Sequence, residues 1–258
     1  MAVNVVFVNH KGGVGKTAAV ANVGSVIAEA GWDVLLIDFD PQSNLTYQFL
    51  GADSSVPGYP TRFIYHALQE QRNLPQVSVK EHLYLAPNAL PMCLTEGMMY
   101  AKRSNEFILA DLLKPISSRY DFILIDCPPS LGIFTTNALA VANRLVVPMK
   151  ADYPTYYGLK MLKAYVEDCR KINHSLKIDD IFFNYFDPQT KQTRLVYERV
   201  KEEFGDELLE TNIRRNVRIS DSYFMLKAAA DVFPDCPGVY GYKCLTKELL
   251  ERICGKKV

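Results

Sequence analysis

The stretch VNHKGGVGKTAAV, residues 8–20, determines the fold predicted for the whole chain. It holds three glycines within four positions, Gly12, Gly13 and Gly15. Without a Cβ these residues let the backbone wrap closely around an anion, and the N–H groups of the loop and of the following helix then face that anion. Lys16 is placed to reach β- and γ-phosphates, and the Thr17 hydroxyl to bind Mg²⁺. The stretch therefore predicts a phosphate-binding loop for a nucleoside triphosphate.

The loop departs from the usual pattern at one position. His10 stands where the pattern G-x-x-x-x-G-K-[ST] has its first glycine, so the loop is a variant. A glycine turn in an unrelated α/β protein is the alternative interpretation. The apolar run before the loop, the G-K-T triplet and the helical segment after it all agree with a phosphate loop. Lys11 adds a second lysine, whose role the spacing alone does not explain.

Apolar runs alternate with helical segments along the rest of the chain. We predict strands at Val3–Asn9, Asp33–Ile37, Leu83–Ala86, Phe122–Ile125, Arg144–Pro148 and Ile178–Asn184. We predict helices at Thr17–Ala30, Ser104–Leu113, Tyr156–Ile172, Arg194–Phe204 and around Leu245–Ile253. Continuous apolar strands between helices are covered on both faces. The pattern predicts an α/β fold, a doubly wound, mainly parallel sheet with helices on both faces, in a single domain over residues 1–258.

Composition bounds the location and the partners of the protein. The chain has 258 residues and a formal net charge of zero, so any nucleic-acid partner needs a local basic patch. No signal peptide is recognisable, and the apolar runs are too short to span a bilayer. The six cysteines form no C-x-x-C pair and no zinc spacing, which predicts reduced thiols. We therefore expect a cytoplasmic protein.

Carboxylates follow two of the predicted strands. Asp38 and Asp40 come after the second strand, and Asp126 ends a strongly apolar one. Ligands of doubly wound sheets bind beyond the carboxyl ends of the strands, where the phosphate loop also lies. Phosphoryl transfer needs Mg²⁺ neutralisation and a placed water, and Asp126 is suited to the metal shell. Turn or helix-capping aspartates are the alternative interpretation.

Six segments resemble a known family. The segments KGGVGKT (11–17), VLLIDFDPQSN (34–44) and YDFILIDCPPSLG (120–132) resemble the deviant Walker A ATPases, the P-loop NTPases of the ParA/MinD group. The segments NRLVVPMKADYPTYYGLKML (143–162), FDPQTKQTRLV (186–196) and IRRNVRISDS (213–222) resemble its ParA/Soj branch. The resemblance covers nearly the whole chain. It implies a slow, Mg²⁺-dependent ATPase that partitions DNA.

The resemblance also implies roles for single residues. Lys11 would cross the interface of an ATP-bound homodimer and contact the partner's phosphates. Asp40 would position the attacking water, Asp38 would support the metal site, and Asn184 would recognise adenine, although a turn-forming asparagine is the alternative there. The implied catalytic residues are Lys11, Lys16 and Asp40. The implied nucleotide-binding residues are Lys11, Gly12, Gly13, Val14, Gly15, Lys16, Thr17 and Asn184. The implied metal ligands are Thr17, Asp38 and Asp126.

A basic cluster near the C-terminus is the candidate surface by which the ATP-bound protein contacts a partner. In the family such residues hold DNA without recognising sequence, which implies a nucleoid-associated, ATP-bound state and a ParB-like partner that stimulates hydrolysis. The implied DNA-binding residues are Arg214, Arg215, Arg218, Lys247, Lys256 and Lys257, with further cations at Lys243 and Arg252. The alternative is that the arginines pair with the acidic residues of 202–207. About nine residues precede the loop, so we expect no N-terminal helix-turn-helix domain.

Two other functions are compatible with a phosphate loop. A MinD-like positioning ATPase would need an amphipathic C-terminal helix at a membrane, and LTKELLERICGKKV (245–258) is mildly amphipathic, although we regard membrane binding as the weaker alternative. The other is a metabolic P-loop enzyme, such as a synthetase or a reductase of the nitrogenase iron-protein kind, and the iron-protein kind would need paired cluster cysteines. Cys93 and Cys127 do not match that spacing.

Overall fold

A seven-stranded sheet forms the centre of the computed structural model, which describes residues 2–53, 55 and 59–255. The strands are β1 (Val3–Phe7), β2 (Val34–Asp38), β3 (Val77–Lys80), β4 (Leu83–Ala86), β5 (Phe122–Asp126), β6 (Arg144–Met149) and β7 (Asp180–Phe183). Their order in the sheet is β3-β4-β2-β5-β1-β6-β7. All neighbours pair in parallel except β3 and β4, which are antiparallel. The mainly parallel sheet predicted from the sequence is confirmed.

Helices cover both faces of this sheet. They are α1 (Lys16–Glu29), α2 (Asn44–Leu50), α3 (Ile64–Glu70), α4 (Thr95–Tyr100), α5 (Ile108–Leu113), α6 (Ile133–Val141), α7 (Tyr153–Cys169), α8 (Lys191–Glu203), α9 (Val217–Asp221), α10 (Ala229–Val232) and α11 (Pro237–Cys254). Short 3₁₀ turns occur at Leu90–Leu94, Asn105–Phe107, Ser117–Arg119 and Ser222–Met225. Helices α3 to α8 contribute to one buried apolar cluster, and α1, α2 and α9 to α11 to the other. The protein is therefore doubly wound, as predicted.

The predicted elements differ from the observed ones mainly in number and at their ends. The sequence does not predict α2, α3, α4, α6, α9 and α10, because each has nine residues or fewer, shorter than the window in which helical periodicity is recognisable. The edge strand β3 is not predicted either. Helix α7 begins three residues before the predicted start because the Asp152 carboxylate accepts a bond from the Thr155 N–H and caps it. Helix α11 begins eight residues before the predicted start.

The strand register brings two of the predicted site residues together. Asp38 ends β2 and Asp126 ends β5, and the two are direct partners in the parallel ladder. Side chains alternate along a strand, so both carboxylates point to the face that Leu36 and Leu124 share. That face is covered by α1, the helix that follows the glycine loop. The register therefore places both carboxylates under the start of α1.

A buried carboxylate ties the opposite, amino-terminal end of the sheet to the last helix. Asp180 begins β7 and is fully buried. It accepts bonds from Arg144 Nε at 2.7 Å and Nη2 at 3.0 Å, and from Arg252 Nη1 at 3.3 Å. These contacts join β6, β7 and α11. Arg252 thus has a structural partner, which explains this cation of the basic C-terminus without a nucleic acid.

We expect Asp180→Ala to lower the free energy of unfolding by about 2 to 3 kcal/mol, because it leaves two half-buried guanidinium groups without their shared carboxylate. Urea denaturation would measure the change. Glu167→Ala is the matched control, since Glu167 pairs with Arg170 on the exposed surface, where such pairs contribute less than about 1 kcal/mol. Equal losses in the two variants would contradict the assignment of Asp180.

Candidate functional site

Three loops meet at the carboxyl edge of the sheet and enclose a cleft of about 460 Å³. They are the turns after β1, β2 and β5, residues 9–17, 38–42 and 126–130, which the sequence analysis predicts to lie together. The cleft is lined by Gly12, Gly13, Gly15, Lys16, Thr17, Ala18, Asp40, Gln42, Asn44, Pro129, Tyr185, Ile219, Ser220 and Tyr223. The structure therefore places the glycine loop, Lys16, Thr17 and Asp40 in one cavity.

The glycine loop owes its shape to two left-handed residues. Gly13 has φ +68° and Gly15 has φ +87°, values that other residues rarely adopt. A Cβ at Gly15 would also overlap the Asn184 side chain. Asn9 anchors the start of the loop, because its Nδ2 donates to Pro148 O at 2.8 Å and its Oδ1 accepts from Lys11 N at 2.8 Å. The loop thus leads directly into the N-terminus of α1, whose first N–H groups have no partner within the helix and are suited to an anion.

Lys16 lies inside the loop. Its Nζ donates to Asn9 O at 3.3 Å and to Lys11 O at 3.2 Å. Burial lowers the pKa of this ammonium, while the charges of Asp126 and Asp40 oppose the change. A buried cation that is held only by carbonyl groups and by the field of two carboxylates is well placed to receive phosphate oxygens.

The neighbouring carboxylates Asp38 and Asp126 are fully buried. Asp126 Oδ2 accepts a bond from Thr17 Oγ1 at 2.7 Å, whereas its Oδ1 has no hydrogen-bond partner among the described residues. Burial raises the pKa of Asp126 well above its usual range, and the charge of Asp38 adds to this change. Burial likewise raises the pKa of Asp38 to about 7. Each carboxylate thus has one unpartnered buried oxygen, a cost that a cation in the cleft would remove.

Asp38 also holds the segment that follows β2. Its Oδ2 accepts from Thr46 N at 2.7 Å and from Thr46 Oγ1 at 2.6 Å, in the first turn of α2. Asn88 completes the network, since its N–H donates to Thr46 Oγ1 at 2.8 Å and its Nδ2 to Asp40 O at 2.9 Å. The network fixes Asp40, whose pKa burial raises, at the rim of the cleft. The metal role of Asp38 stays a prediction beside this positioning contact.

Asn184 supports the loop from behind. It is buried at the end of β7, and its Nδ2 donates to Val14 O at 3.2 Å and to Tyr242 OH at 3.3 Å. Its Oδ1 accepts from Tyr185 N at 3.2 Å. All three groups of the amide are therefore engaged within the protein. Its predicted contact with adenine stays a prediction.

Some residues that line the cleft or lie beside it are not predicted from the sequence. The Lys150 ammonium lies 3.7 Å from where a Cβ on Gly13 would be, and 5.0 Å from the centre of the Tyr185 ring. It has no carboxylate partner among the described residues. Lys150 follows β6 directly and Tyr185 comes two residues after β7, so the rule that ligands bind at the carboxyl ends of strands could have found them. Tyr223 carried no such signal, because it comes from a short helical turn distant in sequence.

A metal ion would need more than protein ligands here. Within residues 2–53, 55 and 59–255, no group of three or more His, Cys, Asp or Glu side chains could hold a metal ion. The oxygens of Thr17, Asp38 and Asp126 suit a hard cation such as Mg²⁺, which keeps several waters and is commonly bound through one or two carboxylates together with substrate phosphates. The donors therefore fit Mg²⁺ bound together with a nucleotide.

Lys11 faces solvent, unlike Lys16. Its aliphatic stem passes over α7, because a Cβ on Gly158 would lie 3.3 Å from Lys11 Cγ. The described part of the chain offers it no carboxylate within ion-pair distance. The residue is thus an exposed cation at the mouth of the cleft.

The predicted DNA-binding residues have different surroundings. Arg214 and Arg215 are exposed, and no carboxylate of the described chain pairs with them. Arg218 lies 3.7 Å from the Asp221 carboxylate and 4.9 Å from the Phe233 ring centre. The acidic residues 202–207 do not pair with this cluster, and Glu203 bonds Tyr156 and Lys160 instead. Lys247 is exposed on α11, whereas Lys256 and Lys257 lie outside the described residues.

The apolar face of α11 is already used. Tyr242, Leu245, Leu249 and Leu250 are buried in the cluster that α1 shares. None of the helices in the described part of the chain is both long and apolar enough to cross a bilayer. Cys127 is buried and Cys93 is exposed. The amphipathic pattern at the C-terminus is therefore explained by packing against the core.

Comparison with known proteins identifies the family. A family model described as an AAA domain matches residues 2–178. The chain is 34% identical over 256 residues to the chromosome-partitioning ATPase Soj of Treponema pallidum, covering 98% of each chain. It is 33% identical to the sporulation initiation inhibitor protein Soj of Bacillus subtilis, covering 93% of this chain and 95% of that protein. The chain belongs to the Soj/ParA family of ATPases. The resemblance stated from the motifs is confirmed, and the protein is an ATPase.

Solved structures with bound nucleotide share this fold. Cobyrinic acid a,c-diamide synthase of Mycobacterium smegmatis, with bound ADP and magnesium, superposes with a TM-score of 0.83 at 26% identity. The match covers 100% of this chain and 98% of that one. A partition protein of Borrelia burgdorferi bound to AMPPNP shares the fold, with a TM-score of 0.76 at 23% identity over 98% of each chain. The cleft of this Soj/ParA ATPase thus lies in a fold that holds nucleotide and magnesium in a relative.

We expect Asp38→Asn to flatten part of the pH dependence of stability. The folded protein keeps a proton on Asp38 up to a pKa of about 7, whereas the unfolded chain loses it near about 4. The free energy of unfolding therefore falls as the pH rises between these values, and the amide cannot lose a proton. Urea denaturation at several pH values across this range measures how far the free energy of unfolding falls in the wild type and in the variant.

Asp168→Asn, an exposed aspartate on α7, is the control. The Asp38 variant should keep part of the fall, because the pKa of Asp126 is raised in the same direction. A pH profile of Asp38→Asn that coincides with the wild type would contradict the prediction.

We expect Lys150→Gln to weaken ATP binding about fivefold, since one charged contact near a phosphate contributes about 1 kcal/mol in a partly solvated site. Isothermal titration with ATP and Mg²⁺ measures the change. Lys163→Gln is the matched control, because its ammonium also lies over an aromatic ring, that of Phe204, but on α7 away from the cleft lining. The same affinity in both variants would show that Lys150 does not contact the nucleotide.

Proposed function

We propose that this ATPase partitions DNA by switching between an ATP-bound dimer that binds DNA and an ADP-bound form that releases it. The observation that carries the proposal is the second lysine of the loop. Lys16 is enclosed by carbonyl groups, whereas Lys11 is exposed at the mouth of the same cleft without a carboxylate partner among the described residues. One lysine thus serves its own nucleotide, and the other is available to a second subunit.

Dimerisation follows from the charge of the nucleotide. A γ-phosphate held by Lys16 still carries negative charge toward the open side of the cleft. Lys11 of a second copy neutralises this charge, so ATP connects the two subunits. After hydrolysis the group that both lysines hold is gone, and the equilibrium shifts toward separate subunits. Relatives named as chromosome-partitioning ATPases support a switch of this kind.

The protein's own groups prepare the hydrolysis. Asp40 lies in the cleft and is held by the N–H of Gln42 at 2.9 Å and by the network through Asn88, which suits it to orient a water toward the γ-phosphate. Thr17, Asp126 and Asp38 are the donors for Mg²⁺, which neutralises charge on the phosphates when bound. Asn184 holds the loop backbone through Val14 and stays our candidate for contact with the base.

DNA is the proposed binding partner of the ATP-bound dimer. Arg214, Arg215 and Arg218, with Lys247 and the terminal lysines, would bind phosphates without recognising sequence. One such patch is weak, but two patches in a dimer act together through effective concentration. ATP-dependent dimerisation thereby controls DNA binding. A ParB-like protein would stimulate hydrolysis and end the cycle, and the DNA-bound state would be located on the nucleoid.

The test combines two measurements on the same protein. Light scattering with ATP and Mg²⁺ should detect a dimer of the wild type, while Lys11→Ala should bind ATP and stay monomeric. Fluorescence anisotropy with a random-sequence duplex should show binding with ATP only, weakening as salt rises.

Asp40→Ala serves as the companion variant, since it should dimerise and bind DNA but turn over slowly. A Lys11→Ala protein that dimerises like the wild type would contradict the proposed role of Lys11. Absence of DNA binding in every nucleotide state, with dimerisation intact, would contradict the DNA partner.

A further inference from the structure

A short helical stretch next to the arginine cluster presents apolar side chains to solvent. Helix α9 continues without a break into the 3₁₀ turn at Ser222–Met225, since the N–H of Ser222 bonds Arg218 O and Ser222 keeps right-handed helical angles. Leu226, with φ +52°, ends the stretch in a left-handed turn. At its end Phe224 is 92% exposed and Met225 50% exposed. We call Phe224 and Met225 the apolar tip.

The two sides of this stretch have different surroundings. Ile219 and Ser222 are buried, and Tyr223 lines the nucleotide cleft together with Ile219. Val217, which is 70% exposed, and Phe224 are seven positions apart and share the outer side of the helical stretch. The inner side therefore contacts the nucleotide cleft and the outer side faces solvent. The exposed side chains on the outer side therefore contribute little apolar burial to the fold of the monomer.

The charged residues next to the apolar tip in the sequence are almost all positive. Between residues 214 and 227 the chain has four cations, Arg214, Arg215, Arg218 and Lys227, and one carboxylate, Asp221. The three arginines directly precede or begin the same helical stretch. An exposed aromatic side chain among cations is complementary to a partner that has apolar groups between rows of negative charge. Duplex DNA has this arrangement, with stacked bases between two phosphate backbones.

We propose that the apolar tip enters the minor groove of duplex DNA, where Phe224 inserts at a base step while the arginines hold the flanking phosphates. The inference rests on the proposed DNA binding and specifies how the protein contacts the duplex. Apolar wedges of Phe, Met or Leu partly unstack a step, and the cost is smallest at flexible steps such as TA. The protein therefore binds without base-specific hydrogen bonds but prefers DNA that deforms easily.

The position of the stretch also connects DNA contact with the nucleotide. Tyr223 and Phe224 are adjacent residues, one in the nucleotide cleft and the other at the apolar tip. A shift of the inner side when the cleft fills would move the outer side with it, because both belong to one short helix. The apolar tip thus gives the nucleotide a second route to the DNA, in addition to dimerisation.

The test measures binding to two duplexes of equal length, one with central TA steps and one with a central A-tract, at several salt concentrations. Fluorescence anisotropy is recorded with a non-hydrolysable ATP analogue and Mg²⁺. Phe224→Ala should weaken binding to the TA duplex about tenfold, the size of one aromatic–base contact, and should remove the preference over the A-tract. The slope of log K against log salt should not change, because no phosphate contact is lost. Phe224→Leu should keep most of the affinity.

Two further variants make the result specific. Arg215→Ala should weaken both duplexes equally and reduce the salt slope by about 1. Leu195→Ala, an exposed apolar residue on α8, should bind as the wild type does. The ATPase rate of Phe224→Ala without DNA should equal the wild-type rate, which would exclude a folding defect.

The outcomes separate this inference from the proposed function. If Phe224→Ala binds both duplexes as the wild type does while Arg215→Ala is weaker, DNA binding stands and the wedge is wrong. If the wild type instead binds vesicles of phosphatidylglycerol and Phe224→Ala does not, with DNA binding unchanged, the apolar tip belongs to a membrane contact. If the wild type binds no DNA in any nucleotide state, both proposals are wrong.

Discussion

Two carboxylates buried side by side at the end of the sheet are the constraint on which the rest of the site depends. Asp38 and Asp126 are partners in the ladder of β2 and β5, and within the described part of the chain each has an oxygen without a hydrogen bond. Such a pair is unfavourable in a protein interior, and burial raises both pKa values, while the charge of Asp38 adds to the rise at Asp126. The groups that offset this cost are Thr17, Thr46 and Lys16, and two of them, Thr17 and Lys16, line the cleft. The fold therefore keeps two carboxylates in an unfavourable buried position, and a bound cation would reduce this cost.

This constraint explains the arrangement of the surrounding segments. Thr46 connects Asp38 to α2 and, through Asn88, to the backbone of Asp40. A change in charge at the pair can therefore reach Asp40 through three short hydrogen bonds. On the other side of the cleft, Tyr223 brings the helical stretch with the arginines into the same cavity. The cleft next to the buried pair is thus lined both by Asp40 and by the helical stretch of the candidate DNA surface.

Features that depend on a short local pattern could be predicted from the sequence, whereas features that depend on contacts between distant segments could not. The glycine loop and the carboxylates could be predicted because each lies at the end of a strand, and the carboxyl ends of parallel strands share one edge. The same rule could have predicted Lys150, which follows the end of β6. Tyr223 was not, because nothing in the local pattern of a nine-residue helical stretch indicates that its inner side reaches a cleft built mainly from other segments. The role of Arg252 was also hidden, since its partner Asp180 is 72 positions away.

The sequence by itself determined the doubly wound fold, the phosphate loop and the family, because these depend on short motifs and on the alternation of apolar runs with helices. Tertiary structure alone decided which charges are paired. It joined Asp38 to Asp126 through strand register, gave Arg252 a structural carboxylate and left Lys11 exposed. It also turned the amphipathic face of α11 toward the core and Phe224 toward solvent. The physical reason is that pairing and burial depend on contacts between distant segments, which local periodicity does not encode.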